Sequence, residues 1–189
     1  MALCAAMCKR ACVIVVPCML APGIQAEANC DTFNWGNPFI ETAIHNDIDI
    51  HVLPCTESLF NGLGAGLARK KHGIDYYNSM PEYNDFCIEK AHTSAEMIQE
   101  LMNRYSIIAI IGVEHSPSCA INYMYSHHGM LKESGLFMRS LRDCLLGQSI
   151  SIPFIGVNRK YPRKSLTEFE SLILKEVNER ERKNNDDNI

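Results

Sequence analysis

Ile107-Ile108-Ala109-Ile110-Ile111-Gly112-Val113-Glu114-His115-Ser116-Pro117-Ser118-Cys119 is the stretch whose reading decides the fold. Its opening run is apolar and dense in β-branched residues, which is the composition of a buried strand. Pro117 then stiffens a turn that carries two hydroxyls and a thiol. In open α/β sheets ligands bind beyond the carboxyl ends of the strands, so Cys119 stands where chemistry is done, with His115 nearby as a local partner.

Working outward, length and charge narrow the options. A chain of 189 residues with 47% hydrophobic content is long enough for one domain with a real core and short for two. A net charge of −4 provides no basic field of the kind that polynucleotide binding needs. The nine cysteines are odd in number and scattered. They do not read as a disulfide framework, so the expected compartment is the reducing cytoplasm.

Lys9-Arg10 followed by Ala11 to Ala21 has the basic-then-apolar profile of a secretory signal. The competing reading is a first core strand, Cys12 to Val16, running into a loop at Pro17-Cys18; its β-branched density favours the strand. Residues 1–10 then form a leader whose Cys4 and Cys8, with Cys12, are spaced for one helix face. No apolar run is long enough to span a bilayer.

A helix is expected over Pro38 to His45, with Pro early in it. Ile48 to Leu53 alternates as a second strand and turns at Pro54-Cys55-Thr56-Glu57-Ser58. Asn61 to Arg69 is glycine-rich but has neither the dinucleotide nor the Walker spacing, and reads as a mobile loop over the site. Helices are expected from Pro81 to about Tyr105, from Lys132 to Leu146 with Gly147 closing it, and from Leu166 to about Arg182. Ala120 to Gly129 reads as a loop, Ser149 to Asn158 as a fourth strand in which Pro153 argues for an edge position or an early turn of the strand, and residues 183–189 as a frayed tail. The order predicts one α/β domain, a three-layer sandwich around a mainly parallel, Rossmann-like or flavodoxin-like sheet.

That topology makes Cys18, Cys55 and Cys119 informative. Each follows a predicted strand, and parallel strands bring all three to one edge. Any one buried Cys is as readily core as ligand, which is the reading for Cys87 and Cys144. Three at equivalent strand ends suit a metal or an iron–sulfur cluster instead, and three thiolates would leave one iron open. Glu57 beside them is either a solvated loop carboxylate or a general base. Ser116 and Ser118 are either turn residues or donors to a reacting group, and His115, His127 and His128 are loop histidines or proton shuttles.

Cys18, Pro54-Cys55-Thr56-Glu57 and Ser116-Pro117-Ser118-Cys119 resemble the three cysteine motifs of the thiouracil desulfidase (TudS) family, most closely its branch of related desulfidases. Gly64 to Arg69, Tyr76, Pro81, Tyr83, Cys87, Gly135 to Met138 and Ile152 to Val157 resemble family stretches in the same order, so the likeness runs from about Ala11 to Val157. The resemblance implies a [4Fe-4S] cluster on Cys18, Cys55 and Cys119 with one open iron. That iron would take the sulfur of a small thiolated compound, of the thiouracil or thiouridine type, and water would replace it. Hydrosulfide would be the product or a cluster ligand. Glu57 would handle the water proton, and Ser116 or Ser118 would donate at the reacting group. The chain departs from the better-known members after Cys18: Met19 to Asn29 lacks their arginine and tyrosine, and only Glu27 offers a carboxylate. Ala120 stands where glycine usually follows the third cysteine. A non-enzymatic iron–sulfur or sulfide-carrying protein is the alternative from another class, and a zinc-bound or metal-free fold is a third. Polynucleotide and membrane partners are not expected, and the expected state is a monomer or homodimer.

Overall fold

The computed structural model describes residues 9–24, 36–62 and 73–186. Cys4, Cys8, Glu27, Cys30 and residues 63–69 of the glycine-rich stretch lie outside them. Four strands form the main sheet: β1 (Arg10–Val15), β2 (Asp49–Val52), β3 (Tyr105–Val113) and a last strand, β6 (Phe154–Val157). Their order is β2-β1-β3-β6, and every pairing is parallel. β1 and the second half of β3 are the centre, with Cys12, Ile14, Ile110 and Ile111 fully buried. Continuous apolar strands of this kind need cover on both faces.

Helices supply it. α1 (Asn37–His45) and α6 (Arg163–Asp186) pack together on one face, where Phe39 and Phe169 stack with centroids 6.0 Å apart. α4 (Pro81–Leu101) and α5 (Leu136–Gly147) pair extensively on the other. The inner stripe of α4 is Tyr83, Cys87, Ala91, Ser94, Ala95 and Ile98, at the three- and four-residue spacing of one helix face. The architecture is thus the three-layer α/β sandwich with a parallel, Rossmann-like or flavodoxin-like sheet. Among the described residues no helix is long and apolar enough to cross a membrane.

Several boundaries move. Arg10 opens β1 rather than closing a leader, because its guanidinium pairs with Asp47 and Asp49 beside β2. The fourth strand is confined to Phe154–Val157, since Pro153 has no N–H and contributes only its carbonyl, to Ile110. It does lie at the sheet edge. The segment expected as a loop after Ala120 contains a small antiparallel hairpin, β4 (Met124–Ser126) and β5 (Gly129–Leu131). α5 starts at Leu136, with Gly135 as its cap, and α6 stays helical to Asp186 through most of the expected tail. Two short helices were not legible: α2 (Thr56–Asn61) and α3 (Ile74–Asn78).

Candidate functional site

Cys18, Cys55 and Cys119 follow β1, β2 and β3, which are neighbours in the sheet. β1 and β3 are also the strands between which the chain's winding reverses, the place where doubly wound sheets bind ligands. Cys18 sits in a 3₁₀ turn, Pro17–Met19, and Cys55 precedes α2. Burial pushes the Cys119 thiol well above the ordinary thiol range; the nearby Cys55 and then Cys18 thiols push it further, and the Ser118 hydroxyl opposes them. The three predicted thiols therefore share one electrostatic neighbourhood.

The turn that delivers Cys119 is built by backbone geometry. His115 adopts a left-handed φ of 72°, which swings the chain off β3. The Ser116 hydroxyl then accepts hydrogen bonds from the amides of Ser118 and Cys119 at 3.2 and 3.0 Å. Two glycines make room. A Cβ on Gly112 would meet the Cys119 carbonyl at 2.3 Å, and one on Gly135 would meet the Ser118 carbonyl at 2.4 Å. Glu114, buried without a cationic partner nearby in sequence, closes the far side of the loop: its carboxylate accepts from the Asn122 and Tyr123 amides and from the Asn122 side chain.

Glu57 is buried at 7% exposure, and the Ser116 hydroxyl donates to its Oε1 at 2.8 Å. Tyr77 donates to its Oε2 at 3.4 Å, and the Asn61 amide donates to both the Tyr77 hydroxyl and the Glu57 carbonyl. The bland reading of Glu57 as a solvated loop carboxylate is thereby excluded. Ser118 is bound differently. Fully buried, its hydroxyl bonds Thr56 Oγ1, which in turn bonds the Tyr83 hydroxyl at 3.1 Å, and the Cys119 thiol donates to Ser118 Oγ at 3.5 Å. Two hydroxyls two residues apart thus belong to two separate networks.

The histidines do not join. His115 is exposed, and His127 pairs with Asp75 at 2.8 Å while its ring lies against His128. Asn61 and Tyr77 are site residues that sequence reasoning missed; Thr56 and Tyr83 entered only as parts of resembling stretches. A threonine next to one strand-end cysteine and a serine next to another was the available signal. A groove of about 530 Å³ lies elsewhere, between α1 and α6, and its lining contains no thiol.

Among the described residues no three His, Cys, Asp or Glu side chains stand close enough to hold a single metal ion. A tetrahedral zinc site would draw its sulfurs to about 3.8 Å from one another, given a Zn–S bond of about 2.3 Å. Thiolates of a cluster each bind a different iron and stand wider apart. Three thiols on the ends of adjacent strands are the kind of donor set that an iron–sulfur cluster takes. No family model, curated protein or solved structure matches this chain.

Proposed function

We propose that the protein is a cytoplasmic iron–sulfur-dependent desulfidase that replaces the sulfur of a small thiolated compound, of the thiouracil or thiouridine type, by oxygen. Cys18, Cys55 and Cys119 would hold a [4Fe-4S] cluster as thiolate ligands to three of its four irons. When bound, the cluster supplies a Lewis-acidic iron with an open position for the substrate sulfur. The observation that carries the reading is the pair of half-buried Ser116 and buried Glu57, 2.8 Å apart, on the same two strand-end segments that bear Cys119 and Cys55.

The chain's own residues then divide the work. Glu57 takes a proton from the attacking water at a carboxylate oxygen, held in place by Tyr77 and Ser116. Ser116 relays a proton from Glu57 to the reacting group, so that a thiocarbonyl and water give a carbonyl compound, hydrosulfide and one proton released to solvent. Ser116 is half-buried and bonded to Glu57, whereas Ser118 is fully buried against Thr56, so Ser116 is the serine assigned to the chemistry. Burial of Glu57 limits the bulk water that reaches its carboxylate.

Iron and acid-labile sulfide are to be counted in anaerobically reconstituted protein, followed by turnover of 2- and 4-thiouracil read as loss of the thiocarbonyl absorbance. The expected result is a loaded cluster with formation of the carbonyl product. A loaded cluster without turnover of thiolated bases would favour a sulfide carrier. Zero iron after reconstitution would sink both.

A further inference from the structure

The hydroxyl chain behind Cys119 has no place in the proton chemistry just described. Thr56, Tyr83 and Ser118 come from three segments, α2, α4 and the turn after β3, and each is buried from solvent at 0% exposure. Hydroxyls that deep are costly unless each finds a partner, and these three find one another. The Tyr83 ring cannot swing away, because it stacks on Tyr77 at 3.9 Å and meets Phe60 edge-on at 5.0 Å. Thr56 immediately follows Cys55, and Ser118 immediately precedes Cys119. Their hydrogen bond therefore joins the second thiol's segment to the third's.

Each hydroxyl has one proton to give, so the chain has a direction. With Cys119 ligated as a thiolate, Ser118 turns its proton to the sulfur, Thr56 donates to Ser118 and Tyr83 donates to Thr56. All three donors are then satisfied and polarise one another towards the sulfur. We propose that Thr56 and Tyr83 are positioning residues for the third ligand: through Ser118 they fix the span between Cys55 and Cys119 and present a hydroxyl to the Cys119 sulfur. This rests on the cluster reading, and it assigns a duty to residues that touch neither substrate nor metal.

The test compares Thr56→Val, which keeps the shape and removes the hydroxyl, with Thr56→Ser, which restores it, and Tyr83→Phe, which removes only the far end. In the full-length, metal-free chain, dibromobimane is added and the Cys55–Cys119 cross-link is quantified by peptide mass spectrometry. After reconstitution, the cluster's visible spectrum and reduction potential are recorded. Thr56→Val is expected to lower the cross-link yield severalfold and to shift the potential negative, because hydrogen bonds to ligand sulfur raise it. Thr56→Ser should return both to the native values, and Tyr83→Phe should give smaller shifts of the same sign. A Thr56→Val chain with native cross-linking and native potential overturns the proposal, while native protein still loading iron leaves the cluster reading intact. If no chain loads iron but the cross-link still follows the Thr56 hydroxyl, the cluster reading falls and the span-setting role stands. Should Thr56→Val not fold, Tyr83→Phe carries the same test, and unchanged values there overturn the proposal.

Discussion

The cysteines of the described residues fall into two groups that burial alone does not separate. Cys12, Cys87 and Cys144 lie within β1, α4 and α5, whereas Cys18, Cys55 and Cys119 lie just past the ends of β1, β2 and β3. Cys119 is buried, as Cys12 and Cys87 are, and burial is the largest influence pushing all three thiols up. The difference is in what else acts on them. Asp49 adds to the shift of Cys12, whereas for Cys119 the added push comes first from Cys55 and Cys18. Topological position, rather than exposure, marks a thiol that has company. Cys87 is the instructive intermediate: a core thiol on α4, it lies within reach of the Tyr83 and Thr56 hydroxyls.

Substitution should pull the two groups apart. The largest expected effect is Cys119→Ser, which should abolish iron loading, while Cys144→Ser leaves it unchanged; equal loss in both, by iron and sulfide analysis, would erase the distinction. Next is Ser116→Ala, expected to lower kcat by about 10²- to 10⁴-fold, the range of one general acid–base group, with the cluster spectrum retained. Unaltered turnover of thiouracil would remove Ser116 from the chemistry.

Gly135→Ala probes the support of the strand-end group. Its new methyl would press on the Ser118 carbonyl carbon at 2.4 Å, where backbone must move. A destabilisation of about 1–3 kcal/mol is expected from thermal unfolding, with weakened loading. The smallest effect belongs to the core group. Burial, helped by Asp49, pushes the Cys12 thiol up to about 12. An unfolded thiol ionises near about 8.5, so above that pH the unfolded chain releases a proton that the folded one keeps. Stability is therefore full below that pH and falls as pH rises towards 12, by at most about 1.4 kcal/mol per unit from this group. Cys12→Val should make the pH dependence of urea unfolding between pH 8 and 10 shallower, and an unchanged slope would count against it.

Much of this was legible in the chain. β3 and its turn could be read because β-branched density and Pro117 are local signals, and the strand-end thiols followed from parallel order. The β4–β5 hairpin was not legible, because its strands are three residues each and its turn is His127-His128 rather than a glycine pair at the tip. α2 was hidden for a similar reason. Six residues are too few to show helical periodicity, and the helix exists through its packing under Phe60 against α4. The separate duties of Ser116 and Ser118 depend on Glu57, Thr56 and Tyr83, which reach them across tens of residues. No spacing rule in one segment encodes such a meeting.

The central place of β1 also orders events during folding. One of the two partners of β1 is β3, Tyr105–Val113, far along the chain from it, and pairing across such a separation is slow. Until β3 docks, Cys18 and Cys55 have no third neighbour and remain open to oxidants and stray metals. A cofactor that needs all three thiols could therefore assemble on this edge only after β3 has docked, and a chain truncated before residue 119 would lack the third thiol.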